Sequence, residues 1–407
     1  MSEASAQPSS AGVSHPHLRT SLLRGSLSEL SLSVQWYALT IYQVFLEPFL
    51  LQLNLVKAGF GDATYGRGGL EDTPKEKRLI HENRNVRCER RRVALSREQL
   101  RIAKSWSRFE ECAYQVWQWD GQQAQENVRD GLHLMRKGFR VIALDLPSFG
   151  RSTGLHAWLP SLRLNVEAVR ACLDHVALLD SRAGLERRKV FLQGESMGGF
   201  TALYYAATYP SIDTSSSFAH VTSQSDLHGD RRTTEHGKER PVIAGVAAAA
   251  PMIAISPSSR PSKLVENIAR VIIFFAGRLP FAKGVKGNVS DDPRVETEFL
   301  ADPFTYKGYL RISTGMAILQ GLAELQDLAP RITCPITFHH GAKDRATSWK
   351  GTREFCERCT ASTDKSFRIW EGYEHIMMKN VEGQSQEDED KRMAVLDAIT
   401  DWYLERC

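Results

Sequence analysis

From residue 105 onward, short apolar runs alternate with stretches of helical period, and this alternation predicts the fold. Residues 113–119 (AYQVWQW) alternate apolar and polar positions like an edge strand. Residues 124–137 place Val128, Leu132 and Met135 on one face, with Gly138 as the stop, which predicts a helix. Residues 139–146 (FRVIALDL) read as a buried strand, and residues 147–154 (PSFGRSTG) as a loop at its C-terminal end. A helix is predicted over 162–179, then a strand at Val190, Phe191 and Leu192, then a helix carrying Phe200, Leu203 and Tyr204. Strand, helix, strand, helix, strand implies an α/β fold, with a mostly parallel sheet and right-handed crossovers.

Further along, residues 211–240 are a long polar insert containing His220, His228 and His236. Their irregular spacing, without acidic or cysteine partners, argues against a metal site. Residues 241–250 (PVIAGVAAAA) form another strand. Residues 251–328 break the alternation, as an inserted helical cap does, with helices expected over 264–276 and 312–325. Strands resume at 335–339 (PITFH) and 367–370 (FRIW), and a helix over 391–404 closes the chain.

The N-terminal quarter reads differently. Residues 1–33 are serine-rich and predict a disordered tail without a standard secretory signal. Residues 34–56 form an apolar helix whose core, WYALTIYQVFLEPFLLQLNLV at 36–56, is long enough to span a bilayer. Glu47 and Pro48 interrupt it, and Thr40, Gln43, Glu47 and Asn54 fall on one narrow stripe. Three readings stay open: a kinked membrane anchor, an interfacial helix, or a helix docked on the protein body. Residues 57–104 read as a polar, basic linker, with Arg84, Arg87, Arg90, Arg91 and Arg92 close together, and residues 105–407 as the globular domain.

Composition narrows the class. The 407 residues are 42% apolar, enough for a sizeable core, and the net charge of +4 does not argue for nucleic acid. Seven scattered cysteines do not form a disulfide framework, which fits reduced thiols in the cytosol. Cys356 and Cys359 make a C-x-x-C, but inside a helical pattern and with no second metal pair.

The chemistry concentrates at residues 189–205 (KVFLQGESMGGFTALYY). A strand turns sharply at Gly194-Glu195-Ser196-Met197-Gly198 and leaves as a helix, which exposes the serine oxygen on a strained turn. Gly194 and Gly198 are expected to keep Cβ atoms out of that turn. An activated serine needs a base, and the base an orienting acid. Asp344 follows the strand PITFH in HHGAKDRAT, and His375 follows FRIW in EGYEH. Serine, then aspartate, then histidine, each after a strand, is the order of the α/β-hydrolase fold.

Residues 106–407 resemble the monoacylglycerol lipase-like branch of the α/β-hydrolases, also labelled serine-aminopeptidase-like. The resemblance rests on GESMGG at 194–199, on Gly150, Arg151 and Ser152 after Asp145, and on Asp302-Pro303 followed by Tyr306 and a helix. HGAKD at 340–344 and EGYEH at 371–375 complete it. It implies Ser196 as nucleophile, His375 as general base and then acid, and Asp344 as the orienting carboxylate. It also implies the N–H of Met197 as one oxyanion donor, and a cap over a fatty-acyl tunnel. No cofactor and no metal are implied.

One departure stands out. The family carries a central strand ending in a His-Gly loop, which supplies the second oxyanion donor. Here Trp119-Asp120-Gly121 runs straight into GQQAQENVRDG. The second donor is therefore open, with Gly121 or Gln122 the nearest substitute in sequence. Either the sequence is an incomplete or spliced form, or the strands at 139–146 and 190–193 pair directly. The expected activity is hydrolysis of monoacylglycerol-type lipid esters. The alternative is a silent hydrolase fold that binds lipid or a partner at a membrane. The expected location is intracellular, in the cytoplasm or at a membrane or lipid droplet.

Overall fold

A computed structural model describes residues 67, 69–83, 85–103, 111–119, 130–186, 188–210, 241–254, 262–278, 280–282, 289–306 and 310–407, with Ile41, Phe45, Leu46 and Phe49. In chain order the elements are α1 (Pro74–Glu82), β1 (Val86–Ala94), α2 (Arg97–Ile102), β2 (Glu111–Trp119), α3 (Asp130–Arg136), β3 (Val141–Leu144) and α4 (Arg163–Arg182). They continue with β4 (Lys189–Glu195), α5 (Met197–Thr208), β5 (Val242–Ala249), α6 (Lys263–Ala276), β6 (Pro280–Ala282), α7 (Pro293–Ala301) and β7 (Leu310–Arg311). Last come α8 (Ile312–Leu328), β8 (Ile336–Gly341), α9 (Trp349–Arg358), β9 (Lys365–Trp370) and α10 (Gln386–Leu404).

The parallel sheet is β4-β5-β8-β9, flanked by helices. Of its middle strands, β5 is apolar throughout because both faces are covered, while β8 (ITFHHG) buries polar side chains as well. On β8 every residue is buried, and β5 (VIAGVAAA) is made of small side chains that let neighbours approach. A Cβ on Gly245 would collide with the ring of Trp402, so α10 lies close against that strand. On the other face α5 buries Phe200, Leu203, Tyr204 and Tyr205 against Leu162, Leu164, Val246 and Phe338. Full burial of such a side chain contributes about 1.5–3 kcal/mol. Within residues 251–328, expected to form a cap, α8 packs so closely that a Cβ on Gly321 would sit 2.9 Å from Leu162. The expected helices at 264–276 and 312–325 are α6 and α8, while α7 and the β6–β7 ribbon were not legible as such.

A second sheet, β1-β2-β3, is antiparallel. It overturns two expectations. Residues 113–119 are not an edge strand: β2 lies between β1 and β3. Residues 57–104 are not simply a linker, because β1 pairs with β2 along its whole length, from Val86↔Trp119 to Ala94↔Glu111. The arginine run hides a period-two strand whose charges find partners: Arg90 pairs with Asp72, Arg91 with Glu89, and Arg92 lies 3.8 Å from Glu111. The polar insert at 211–240, with its three histidines, and residues 120–129 lie outside the described residues, as does nearly all of 34–56.

The segment before β1 grips the loop after β3. Arg67 donates to the carbonyls of Gly150, Ser152 and Gly154, each at 3.1 Å. In return Arg151 reaches α1, donating to Glu76 at 3.0 and 2.9 Å. Glu76 also closes a capping box with Thr73 and accepts from Gln115 at 2.6 Å. Burial pushes its pKa up, but Arg151, Gln115 and the Thr73 N–H outweigh burial and hold the carboxyl at about 2 against an ordinary 4.5. A depressed folded-state value means stability present above the unfolded value near 4.5 and lost as pH falls towards 2. Glu76→Gln is therefore expected to melt lower than the parent at pH 7, with the difference closing as pH drops below about 4.5. Thermal unfolding of both proteins between pH 3 and 7 measures this; a pH-independent gap would show that the charge is not what holds the loop.

Candidate active site

Ser196 sits between the end of β4 and the start of α5 with φ 52° and ψ −116°. A serine pays a conformational cost of about 1–3 kcal/mol for such a backbone, so its surroundings must hold it there. They do so with three bonds. Its N–H donates to the Ala249 carbonyl at 3.0 Å, and its carbonyl accepts from Phe200 at 3.0 Å and from Met252 at 2.9 Å. Close approach explains two glycines of the turn. A Cβ on Gly194 would overlap the backbone of Gly198 and Gly199, and one on Gly199 would lie 2.9 Å from Pro251. The expectation for Gly198 is corrected: a Cβ there meets nothing within 4 Å. Met197 is the first residue of α5, where a backbone N–H has no carbonyl within its own helix to bond.

Asp344 lies in the turn after β8, and its side chain is wholly buried. Its Oδ1 accepts the N–H groups of Ala346 at 2.7 Å and Thr347 at 2.9 Å. Its Oδ2 receives the Thr347 hydroxyl at 2.7 Å, His375 Nδ1 at 2.8 Å and His340 Nε2 at 3.0 Å. Burial alone would raise the carboxyl's pKa, but the bonds from His340, His375 and Thr347 prevail and hold it well below the usual range. Asp344 is thus an anion, an acceptor only, so the proton on each facing ring nitrogen belongs to the histidine. That assigns His375 the tautomer with a proton on Nδ1 and a lone pair on Nε2.

His375 is buried in the loop after β9. That loop crosses the end of β8 so closely that a Cβ on Gly341 would strike the carbonyls of Tyr373 and Glu374. Glu195, the residue before Ser196, accepts the Met377 N–H at 3.0 Å and ties the serine turn to the histidine loop. Ala250 donates its N–H to the His339 carbonyl at 2.8 Å, which ties the end of β5 to β8, the strand that leads into the Asp344 turn.

Of the expected site residues, Asp344 and His375 are in direct contact, and Ser196 and Met197 follow β4, which β5 separates from β8 in the same sheet. Gly121 lies outside the described residues. His340, Thr347 and Glu195 were missed as functional positions. His340 precedes Asp344 by four residues at a strand end, a spacing that could have marked it. Cys356 and Cys359 are buried thiols at the end of α9, and burial pushes Cys359 up to about 12.

The departure seen in the sequence has a structural counterpart. Among the described residues β3 pairs with β2 alone and β4 with β5 alone, so the strands at 139–146 and 190–193 do not pair with each other. The expectation of direct pairing fails because the sheet is interrupted between them.

Comparison with known proteins follows the same outline. Residues 110–237 match the family model described as alpha/beta hydrolase fold, and residues 232–382 match the one described as serine aminopeptidase, S33. A monoacylglycerol lipase of Mycolicibacterium smegmatis is 27% identical over 267 residues, 66% of this chain and 79% of its own. A caffeoylshikimate esterase of Arabidopsis thaliana is 25% identical over 274 residues, 66% of this chain and 70% of its own. Among solved structures, a monoglyceride lipase of Saccharomyces cerevisiae with a substrate analog aligns with a TM-score of 0.53 at 17% identity. That alignment covers 74% of this chain and 92% of the other, a likeness of fold. The ordered strand ends, the serine turn and these matches agree: the chain has the α/β-hydrolase fold and is similar to its monoacylglycerol lipase-like, serine aminopeptidase-like branch.

Proposed function

We propose that the protein is a serine esterase that cleaves monoacylglycerol-type lipid esters through an acyl-enzyme on Ser196. The observation that carries this reading is the 2.8 Å bond from His375 to the buried carboxylate of Asp344, in a loop that the Met377 N–H and Glu195 tie to the turn holding Ser196 at φ 52°. In this reading His375 Nε2 takes the Ser196 proton as the hydroxyl attacks the ester carbonyl. The oxyanion that forms is met by the Met197 N–H and by the positive end of α5. His375 then protonates the departing alcohol, and water activated by the same nitrogen releases the fatty acid. The relatives named as lipases support the lipid substrate. So do Leu264, Ile268 and Phe299 on α6 and α7, which are exposed apolar side chains of the cap region. A fluorophosphonate probe tests the proposal, because it labels only an activated serine. Labelling is expected on Ser196 and lost in Ser196→Ala.

A second reading, a silent fold that binds lipid or a partner at a membrane, is favoured by the interrupted sheet. The loop that supplies the other oxyanion donor in the family belongs at that interruption, and loss of one donor costs about 10²–10³ in rate. Absence of labelling in folded protein would select this reading.

The apolar stretch at 34–56 is proposed to bring the protein to lipid. Its four described side chains, Ile41, Phe45, Leu46 and Phe49, are all exposed, which supports that role. Among the described residues no helix is long and apolar enough to cross a membrane. A chain shortened to begin near residue 60 is expected to shift from the membrane pellet to the supernatant. Beginning at Ser105 would remove β1 and half the pairing of β2. Equal partitioning of full-length and shortened protein would mean that the segment does not act as an anchor.

A further inference from the structure

The Asp344 carboxylate carries more donors than its lone pairs can each meet. Two backbone N–H groups occupy Oδ1, from Ala346 at 2.7 Å and Thr347 at 2.9 Å. Oδ2 takes three donors: the Thr347 hydroxyl at 2.7 Å, His375 Nδ1 at 2.8 Å and His340 Nε2 at 3.0 Å. An ionised carboxylate offers about four lone-pair sites, two on each oxygen, so the three donors on Oδ2 compete. The crowding shows in the Thr347 oxygen, which stands 3.3 Å from His340 Nε2 and 3.4 Å from His375 Nδ1. Two imidazoles thus face one oxygen, and only His375 has a place in the reaction proposed for Ser196.

A histidine at position 340 is costly for anything but its bond to Asp344. The residue is fully buried on β8, and its Nδ1 has no hydrogen-bond partner among the described residues. An apolar side chain would leave no such atom unsatisfied. A second proton, on Nδ1, would be a buried donor without an acceptor. The ring therefore carries its one proton on Nε2 and spends it on Asp344. We infer that His340 is a positioning residue that tempers His375: by holding a share of Asp344 Oδ2, it leaves that carboxylate a weaker partner for the His375 imidazolium than an unshared one would be. The general base then lets its proton go more readily.

Among the described residues Asp344 is the one charged group in hydrogen-bond or ion-pair contact with either ring. The neighbouring β5 and α5 carry no charged side chain. Charges on the other elements are engaged elsewhere. Glu195 accepts the Met377 N–H, and Glu374 accepts from Ser290 and from the Asp291 N–H. Lys379 pairs with Asp292 and Asp388, Arg345 with Asp291, and Arg392 of α10 with Glu389. Arg353 of α9 lies over Trp349 and Phe367, and Lys343 is exposed. His339 points to the other face of β8, where the Trp370 indole donates to its Nδ1 at 3.2 Å.

The effect on rate rests on the esterase reading; the effect on the His375 ring does not. Full-length protein with nitrogen-15 histidine is compared with His340→Phe and His340→Leu, which fill the space without an N–H. A third variant, His340→Gln, offers an amide nitrogen in place of Nε2. Thr347→Val strips a different donor from the same oxygen. Proton–nitrogen NMR follows the titration of the His375 ring, assigned by its loss in His375→Ala. Its midpoint is expected to rise by about 0.5–1 pH unit in the Phe, Leu and Val variants, and by less in the Gln variant. In the esterase assay the Phe and Leu variants should then lose about three- to tenfold in kcat/KM at pH 6, with the gap closing towards pH 9. A midpoint that stays or falls in the Phe and Leu variants, or a Gln variant that matches them, would overturn the inference. So would a loss of rate that is equal at every pH. A raised midpoint in protein that the fluorophosphonate probe does not label would uphold the inference and refute the esterase reading.

Discussion

Ser196→Ala and His375→Ala are each expected to lose about 10⁴- to 10⁶-fold in kcat/KM for a monoacylglycerol ester. The double variant should be hardly worse than either single one. The hydroxyl and the imidazole act on one proton in one step, so removing either already removes the step. Multiplicative losses would sink the shared mechanism. Asp344→Asn adds a sharper test. The Asp344 Oδ2 oxygen accepts from His375, His340 and Thr347 at once. An amide nitrogen turned towards His375 would face a donor with a donor and favour the tautomer with its proton on Nε2. A loss of about 10⁴ in kcat with unchanged KM is expected on that ground. Since neighbours keep the Asp344 carboxyl ionised far below neutrality, its protonation does not set the acid limit of activity. Steady-state kinetics over pH 5–9 on refolding-competent variants would measure all three.

Insertion of an apolar strand and a His-Gly loop between Gly121 and Gln125 is expected to raise kcat by about 10²–10³ with little change in KM. The oxyanion exists only at the transition state and in the tetrahedral intermediate, so a donor aimed at it acts on kcat and not on ground-state binding. The break between β3 and β4 has an open edge on each side for the inserted strand to pair with. Gly198, with nothing near its missing Cβ, leaves space open beside the serine turn. An unchanged kcat in a folded insertion variant would show that the loop is not what the chain lacks.

Much of this was legible in the sequence because the signals were local. Val190 to Leu192, the glycines around Ser196 and the apolar positions of α5 are a strand, a turn and a helix within one window. Asp344 and His375 could be chosen because each follows an apolar strand. Non-local pairing was less legible. The run from Val86 to Ala94 carries four arginines, which resembles a solvated linker until β2 pairs with it and Asp72, Glu89 and Glu111 answer the charges. The clamp of Arg67 on residues 150–154 joins positions more than eighty residues apart, and no spacing rule announces it. His340 was hidden for a further reason: its role comes from sharing an oxygen with His375, which only the tertiary turn creates.

A continuous sheet transmits order sideways, since each strand's hydrogen bonds fix its neighbour's register. Where β3 and β4 leave their edges unpaired among the described residues, that transmission stops, and the two sheets are coupled instead through helix packing, aromatic contact and side-chain bonds such as that of Lys75 to the Asn380 carbonyl at 2.8 Å. Side-chain packing is tolerant of small shifts where a ladder is not, so the domain divides into two cooperative units. One comprises β1 to β3; the other comprises β4 to β9 with the serine, aspartate and histidine. Local opening of the first unit need not melt the second, and the site residues all belong to the unit whose sheet is unbroken.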